Sequence, residues 1–344
     1  MAQQFASDNN AGICPEALAA LLRANAEGHV AGYGDDAWTA KACDRLRQLF
    51  ERDCEVFFVF NGTAANALTL AQLAKPYHAI IAHGLSHIEE DEAGAPGYLS
   101  GGAKIVALDL PLAKLTPAAV RVSASAGRGV HHVKPRVLSL TEATELGTVY
   151  TVDEVGALSE AARSCDLKVH MDGARFANAL AQLAVTPAEL SWRAGIDVLC
   201  FGGVKNGLGY GEAVLFFDKT LAQEFEWRVK QAGHLNSKMR LMTAPWVGLL
   251  ADDIWLKNAR HANAMAQRLA QGIARARGAR LLAPVQSNGV FVELSPMVQK
   301  RLRDKGWRFY TFLGETGCRL MCAWDTTEAT VDRFTADLTA AALA

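Results

Sequence analysis

The sequence predicts an α/β fold in which a large domain with a mostly parallel, doubly wound sheet is followed by a smaller α/β domain. Short apolar runs typical of buried strands alternate with amphipathic stretches, and this alternation predicts helices on both faces of a parallel sheet. The predicted strands of the large sheet are 56–60, 78–82, 136–140, 167–171, 198–201 and 212–217. After residue 250 the pattern changes to helix, strand at 289–293, helix, strand at 318–321 and a closing helix. We therefore assign a large domain to 1–249, with an N-terminal arm at 1–14, and a small domain to 250–344.

Composition and charge restrict the class of protein. The chain has 344 residues, half of them hydrophobic, and a formal net charge of -1, which gives no basic field for binding a nucleic acid. The longest apolar runs are much shorter than a membrane span, and the first residues lack the basic and apolar regions of a signal peptide. Seven cysteines without a Cys-x-x-Cys motif are typical of reduced thiols. We therefore expect a cytoplasmic protein with neither a nucleic-acid partner nor a membrane partner.

The first third of the chain predicts two helices and a candidate anion site. One amphipathic helix begins at Pro15, and another follows the glycine-rich turn at 32–36. The strand at 56–60 runs into a helix start that contains Gly62 and Thr63. Glycine and a hydroxyl suit a phosphate there, because free N–H groups and the positive end of the helix dipole point at the anion. Thr63 as an ordinary N-cap explains the same residues equally well.

Two histidines after the next strand raise the question of a metal site. His83 and His87 are four residues apart, and acidic residues follow them. Gly84 argues against a continuous helix across the pair, and the sequence offers no obvious third ligand. We therefore predict no metal site. The glycine-rich stretch at 94–102 is expected to be a loop.

Two polar residues at the ends of neighbouring predicted strands organise the large domain. Asp172 follows the apolar run at 167–171, and Lys205 lies in a glycine-flanked turn after the run at 198–201. In an open α/β sheet the carboxyl ends of the strands face one crevice, where ligands bind. A lysine and a carboxylate there suit pyridoxal phosphate, which needs a lysine for its Schiff base and an acid beside its ring nitrogen. The alternative is a buried ion pair or a helix cap for Asp172 and a solvated Lys205.

A series of short motifs runs through essentially the whole chain. The motifs are Ser7-Asp8, Tyr33-Gly34-Asp35-Asp36, Gly62-Thr63, Asn66, His87 with Glu92-Ala93-Gly94, Asp172-Gly173-Ala174-Arg175, Lys205 with Gly207, and Arg319. In their order and spacing they resemble the low-specificity L-threonine aldolases. That family belongs to the pyridoxal phosphate enzymes of fold type I, the aspartate-aminotransferase-like class, so the resemblance implies this fold and this cofactor.

The resemblance implies a role for each matched residue. Lys205 would carry the cofactor, Asp172 would pair with its ring nitrogen, and His87 would stack on the ring. The implied cofactor-binding residues are Gly62, Thr63, His87, Asp172, Arg175 and Lys205. The implied substrate-binding residues are Ser7, Tyr33, Arg175 and Arg319. The implied catalytic residues are Lys205, Asp172, His87 and His131.

The family's assembly adds residues from a second subunit. The resemblance implies a homotetramer, arranged as a dimer of dimers with the sites at the dimer interface. Tyr33, and one of Lys230, Lys238 or Arg240, would reach the phosphate of a neighbouring subunit. Ser7, Arg175 and Arg319 would hold the substrate carboxylate within the site.

The chain departs from the better-known branch of the family at two places. Val204 stands where that branch has a serine directly before the lysine, so a hydroxyl contact to the phosphate is not expected. The segment 141–145 replaces a shorter Glu-Asn-Thr-His segment, and contacts in that loop cannot be transferred. His131 and His132 are adjacent, and His131 is the one that matches a histidine near the substrate hydroxyl.

The implied activity is the reversible cleavage of L-threonine, L-allo-threonine and other L-β-hydroxy-α-amino acids to glycine and an aldehyde. His87, His131 or a water would take the proton of the hydroxyl group. The residues alone also allow a β-eliminating lyase or an aminotransferase, because both use the same lysine and aspartate. A nucleotide-dependent dehydrogenase is disfavoured, since no G-x-G-x-x-G turn follows a strand.

Overall fold

The computed structural model describes residues 4–127 and 129–343. Its strands are β1 (Glu55–Val59), β2 (His78–His83), β3 (Lys104–Leu108), β4 (Lys134–Thr141), β5 (Lys168–Gly173), β6 (Val198–Phe201), β7 (Glu212–Phe216), β8 (Arg280–Leu281), β9 (Gly289–Glu293), β10 (Tyr310–Leu313) and β11 (Gly317–Met321). Its α-helices are α1 (Pro15–Ala26), α2 (Ala37–Leu49), α3 (Gly62–Leu73), α4 (His87–Glu90), α5 (Ala95–Leu99), α6 (Pro117–Ser125), α7 (Val152–Ser164), α8 (Phe176–Leu183), α9 (Pro187–Leu190), α10 (Phe225–Gln231), α11 (Met239–Leu249), α12 (Ile254–Ile273), α13 (Pro296–Asp304) and α14 (Glu328–Leu343).

Strands β1 to β7 form one mixed sheet in the order β1-β7-β6-β5-β4-β2-β3. The pairs from β3 to β6 are parallel, and β7 is antiparallel to both of its neighbours. The predicted α/β class with a mostly parallel sheet is therefore confirmed. Strand β3 was not predicted, because it lies at the edge of the sheet and exposes part of its surface, which weakens the apolar pattern.

The parallel register brings the carboxyl ends of three central strands to one level. Thr141 of β4 pairs with Asp172 of β5, and Asp172 pairs with Cys200 of β6. The loops that follow these strands consequently leave the sheet at the same edge. This edge is where ligands bind in sheets of this kind.

Buried aromatic rings pack beneath the end of β6. The ring centroid of Phe201 lies 5.6 Å from that of Phe50, 5.8 Å from that of Phe176 and 5.3 Å from that of Trp246. All four side chains are buried, and several of the contacts are edge to face, an arrangement that aromatic rings favour. The turn that carries Lys205 therefore begins on a well-packed part of the core.

Strands β8 to β11 form a second, antiparallel sheet in the order β10-β11-β9-β8. Phe5 of the N-terminal arm packs in its core against Trp307 and Phe334, and the Phe5 N–H donates to the carbonyl of Arg308 at 2.8 Å. The arm that we assigned to the large domain therefore packs its Phe5 ring in the apolar core beside the second sheet. The domain boundary at residues 249 and 250 stays a prediction.

Two local predictions are wrong. The stretch at 94–102 contains helix α5, whose first turn includes Pro96, a residue that helix starts tolerate. The sequence after the strand at 212–217 favours one long helical region, but the structure divides it into α10 and α11, separated by a segment that contains Gly233 in a left-handed conformation. Among the helices of the described residues, none has the length and apolar character needed to cross a membrane.

Candidate active site

The carboxyl ends of β4, β5 and β6 open into a cleft that the N-terminal arm and the second sheet complete. Seven residues predicted for the site line this cleft: Ser7, Gly62, His87, Asp172, Arg175, Lys205 and Arg319. Tyr33, Thr63 and His131 are not among its lining residues. The elements that meet here are far apart in the sequence, so the cleft is a product of the tertiary fold.

Asp172 lies at the floor of the cleft and is held by two hydrogen bonds. Its Oδ2 accepts from Nδ2 of Asn66 at 2.8 Å, and its Oδ1 accepts from the N–H of Ala174 at 3.0 Å. Asn66 lies on α3, and its Nδ2 also donates to Oε1 of Glu92 at 2.9 Å. All three polar side chains are buried. One amide therefore orients two carboxylates beside the cleft.

His87 extends this network to the wall of the cleft. Its Nδ1 lies 2.8 Å from Oε1 of Glu92, and the hydrogen bond raises the pKa of His87 above its ordinary value. Burial raises the pKa of Glu92 as well. The bond to Glu92 orients the imidazole ring, which suits a residue that packs flat against a ligand. Sequence reasoning included Glu92 in a motif but assigned it no role.

Lys205 lies in a single 3-10 turn at Val204–Asn206, directly after β6. A buried carboxylate oxygen of Glu212 on β7 accepts from the N–H groups of Gly203, at 2.5 Å, and Val204, at 3.3 Å. Burial raises the pKa of Glu212 to about 7. A Cβ at Gly203 would lie 2.7 Å from the ring of Trp246, so only glycine fits there. Sequence reasoning missed Glu212, because in a strand it shows no sign of its contact with this turn.

The start of α3 presents backbone N–H groups at the edge of the cleft. Asn61 is the N-cap, and its side chain accepts from the N–H of Ala64 at 2.9 Å. The alternative of Thr63 as the N-cap is therefore wrong. A Cβ at Gly62 would have no atom within 4 Å, so an anion can approach the backbone here. The first N–H groups of a helix have no partner within the helix and favour a negative charge.

Arg175 is already paired within the chain. Its Nε and Nη2 donate to the two carboxylate oxygens of Asp8 at 2.8 and 2.9 Å. Asp8 is buried, and Asn288 also donates to it at 2.9 Å. Burial alone would raise the pKa of Asp8, but Arg175, together with Lys205 and Asn288, lowers it below its usual value. The face of the guanidinium group that we expected to bind a substrate carboxylate is therefore occupied by Asp8, a partner that sequence reasoning missed.

The buried pair predicts a large loss of stability in Asp8→Ala. Removal of Asp8 leaves the largely buried Arg175 charge, whose side chain is 19% exposed, without its partner. Loss of one member of a buried pair costs up to about 3–5 kcal/mol. The free energy of unfolding should be measured by urea denaturation. The difference from wild type should shrink in acid: the folded-state pKa of Asp8 is lowered, so the pair stabilises above about pH 4 and is lost as pH falls through that pKa.

Asp53→Ala is the matched control for this experiment. Asp53 also pairs with a cation, Lys219 at 2.6 Å, but both side chains are largely exposed. Solvent screens such pairs, so this variant should unfold much like wild type. Equal decreases in the free energy of unfolding of the two variants would show that burial of the Asp8 pair is not important for stability.

Arg319 on β11 is the cation left for a substrate. Its guanidinium carbon lies 5.3 Å from the ring centroid of Tyr310 and 5.1 Å from that of Phe312. Its Nε is buried without a hydrogen-bond partner among the described residues. Burial lowers the pKa of Arg319 below its ordinary value. A planar carboxylate in the cleft would complete it.

Tyr33 and the three candidate basic residues lie outside the cleft. Tyr33 is 56% exposed, and Nζ of Lys230 lies 4.8 Å from its ring centroid in a separate surface depression. Lys238 is exposed at the N-cap of α11, and Nη2 of Arg240 donates to the carbonyl of Gly28 at 3.0 Å. Of the three, Lys230 is therefore the one that contacts Tyr33.

His131 does not lie in the cleft of its own chain. It is exposed and precedes β4, whereas Thr141 at the other end of β4 lines the cleft. At ~3.3 Å per residue, the strand separates the two ends by roughly 25 Å. Within one chain His131 therefore lies away from the cleft, at the amino end of a strand whose carboxyl end forms the site. Its role near the substrate hydroxyl stays a prediction that would need a second subunit.

The cleft combines the groups that pyridoxal phosphate requires. Lys205 offers an amine in a rigid turn, and Asp172 offers a fixed carboxylate for a ring nitrogen. The open start of α3 suits a phosphate. The residues present therefore fit this cofactor, and the chemistry they allow is that of a pyridoxal phosphate enzyme acting on an amino acid.

Comparison with known proteins leads to the same class. The sequence profile of the Beta-eliminating lyase family matches residues 4–296. A low specificity L-threonine aldolase of a Pseudomonas species is 55% identical over 98% of this chain and 97% of its own length. Another from Pseudomonas aeruginosa is 56% identical over 94% of this chain and 93% of its own. The solved structure of Leishmania major threonine aldolase has a TM-score of 0.92, with 31% identity, and the match covers 98% of each chain.

Fold and site thus define a lyase of fold type I. The chain belongs to the Beta-eliminating lyase family, among relatives named low specificity L-threonine aldolase. The resemblance found in the sequence is therefore confirmed.

Proposed function

We propose that this chain is a pyridoxal phosphate-dependent aldolase that cleaves L-threonine, L-allo-threonine and other L-β-hydroxy-α-amino acids to glycine and an aldehyde, reversibly. The observation that carries the proposal is the cleft in which Lys205, Asp172 and the unpaired Arg319 meet. The relatives at 55% and 56% identity, both named for threonine cleavage, favour this reaction over others that use the same residues.

The chain's own residues would hold the cofactor at five points. Lys205 would form the covalent link, and Asp172 would keep the ring nitrogen protonated. His87 would pack on the ring, while Gly62 and Thr63 would bind the phosphate with backbone N–H groups. When bound, pyridoxal phosphate supplies an electron sink for the bond that breaks at Cα.

Substrate recognition would depend on Arg319 and Ser7. The guanidinium group of Arg319 can bind a carboxylate with two parallel hydrogen bonds, and Ser7 adds a hydroxyl group at the same side of the cleft. Arg175 would contribute its positive charge, although Asp8 occupies two of its nitrogens. A carboxylate fixed in this way sets rotation about the Cα–N bond, so that the Cα–Cβ bond is the one aligned for cleavage.

We also propose a homotetramer, a dimer of dimers with the sites at the dimer interface. The exposure of Tyr33 and its contact with Lys230 outside the cleft support a role toward a neighbouring subunit. A role for His131 near a substrate hydroxyl would likewise require a second subunit. The cytoplasmic location stays a prediction from the sequence.

The substrates test the proposal directly. L-threonine and L-allo-threonine should both yield glycine and acetaldehyde, and D-threonine should not, because the carboxylate and amine contacts determine the configuration at Cα. Aldehyde can be followed by a coupled reduction, with glycine measured by chromatography. Release of pyruvate or ammonia instead of acetaldehyde would reject the aldolase and favour an eliminating lyase.

A further inference from the structure

The loop after β4 places a carboxylate in the cleft at the segment where this chain departs from the better-known branch of its family. Glu145 lines the cleft, and its Oε1 accepts from the N–H of His87 at 3.2 Å. Its Oε2 is buried and has no hydrogen-bond partner among the described residues. An unpaired buried carboxylate oxygen is costly unless a ligand completes it.

We propose that Glu145 is the catalytic residue that takes the proton from the β-hydroxyl group of the substrate. The inference rests on the proposed function and names the base for that reaction. Oε1 is held by the N–H of His87 at the start of α4, and we therefore assign the proton to Oε2, the oxygen without a hydrogen-bond partner among the described residues. A carboxylate that acts as a general base needs one oxygen that a contact holds in place and a second oxygen that can accept a proton.

The other candidates for the base are less suitable. His87 uses Nδ1 to bind Glu92 and would pack its ring against the cofactor. His131 lies outside the cleft of its own chain and would have to act from a second subunit, whereas Glu145 lines the cleft of its own chain. Asp91 also lines the cleft, but it is exposed, so water competes for its carboxylate. Of the described acidic and imidazole groups in the cleft, Glu145 combines burial with an oxygen that lacks a partner.

The charges around Glu145 favour proton exchange near neutral pH. Burial raises the pKa of Glu145 to about 7, and the charge of Asp172 acts in the same direction, whereas contacts with the Thr141 side chain and the His87 N–H act in the opposite direction. The titratable groups that face it from the surrounding elements are Asp172 and Arg175 after β5, Glu142 in the same loop, Tyr150 before α7, and His87 on α4. A base with a pKa near the working pH can both accept a proton and release it.

In the proposed step the substrate loses the proton of its hydroxyl group and its Cα–Cβ bond is cleaved. The O–H bond of the substrate breaks, its proton passes to Oε2 of Glu145, and its electron pair becomes the second bond of the aldehyde carbonyl. The Cα–Cβ bond breaks and its electron pair stays at Cα, for which bound pyridoxal phosphate would supply an electron sink. After the aldehyde leaves, Glu145 releases its proton to solvent and Cα takes one proton, which gives glycine.

Glu145→Gln tests this role, because glutamine keeps an oxygen acceptor for the His87 N–H but cannot take a proton. The kcat/KM for acetaldehyde release from L-threonine should fall by about 10²–10⁴. Exchange of the Cα hydrogen of glycine with solvent deuterium involves no β-hydroxyl group and should stay within about threefold of wild type. Glycine binding by calorimetry and the urea midpoint of the cofactor-free protein should also match wild type.

Glu142→Gln is the matched control. Glu142 is a buried glutamate of the same loop with the same pattern: its Oε2 accepts from the N–H of Tyr150 at 3.2 Å, and its Oε1 has no hydrogen-bond partner among the described residues. Unlike Glu145, it does not line the cleft. This variant should retain aldehyde release within about threefold. If Glu145→Gln proves unstable, Glu145→Asp keeps a carboxylate and should retain part of the activity.

The pH dependence separates a base from a positioning residue. In wild type, kcat/KM should rise with pH as Glu145 loses its proton near pH 7. This rise of kcat/KM with pH should be absent in Glu145→Gln and present in Glu145→Asp and Glu142→Gln. Aldehyde release by Glu145→Gln within about threefold of wild type, or equal losses in aldehyde release and glycine exchange, would overturn the inference. A wild type that exchanges glycine but releases no aldehyde from L-threonine would reject the proposed function itself.

Discussion

Lys205→Ala should abolish the visible absorbance of the cofactor-loaded enzyme and nearly all aldehyde release. Lys205 is the lysine that lines the cleft, and its turn is fixed by Glu212 and by the close packing around Gly203. Alanine removes the amine that would link the cofactor but leaves this turn in place. Absorbance spectra, cofactor content after dialysis and turnover of L-threonine measure the effect.

Borohydride reduction of wild type provides an independent check. Reduction should fix the cofactor to the peptide that contains Lys205, which mass spectrometry of a digest can identify. Lys219→Ala is a suitable control, because Lys219 forms a surface ion pair with Asp53 and lies far from the cleft lining. Attachment to any other lysine would show that the assignment of Lys205 is wrong.

Asp172→Asn should lower turnover by about 10³-fold, which is roughly 4 kcal/mol at 1.36 kcal/mol per tenfold. The substitution keeps the shape but removes the negative charge that would hold a proton on the ring nitrogen, so the ring accepts electrons less well. The new side chain also carries an NH2 group that can face Nδ2 of Asn66, which is itself a donor. Oδ1 of Asn66, which has no hydrogen-bond partner among the described residues, can accept from that group if the Asn66 amide turns. Measurement of kcat with saturating cofactor separates turnover from binding.

Asp197→Asn is the control for this second substitution. Like Asp172, Asp197 lies next to a strand of the sheet and is at least partly buried. Its carboxylate accepts from the N–H of Val169 at 2.8 Å at the opposite end of the sheet, so it does not line the cleft. It should retain turnover close to wild type. Near wild-type turnover in Asp172→Asn with the cofactor still bound would exclude the proposed role of Asp172.

The central part of the site follows from local patterns in the sequence. Asp172 follows one apolar run, and Lys205 lies in the turn after another. Both runs are typical of buried strands, and parallel strands place their carboxyl ends at one edge. Gly62 ends another such run before a helix. These positions depend on hydrophobic periodicity and on short-range backbone preferences, which neighbouring residues determine. The fold class and the place of Lys205 beside the strand ends were therefore predictable from the sequence, and the role of Lys205 in holding the cofactor stays a prediction.

The remaining contacts depend on residues that are distant in the sequence, and only the tertiary structure decided them. Asp8 and Arg175 form a pair across 167 positions of the sequence. Asp8 thereby binds the guanidinium group that we expected to bind the substrate carboxylate. Glu212 holds the Lys205 turn from an adjacent strand, and Asn66 joins Asp172 to Glu92 across the cleft. Such pairings arise where the packing of the sheets, helices and N-terminal arm brings polar groups together away from water, and no local pattern records them. The direction of β4 in the sheet likewise places His131 before the far end of the strand and Glu145 after the end that forms the cleft. Only the tertiary structure shows that direction.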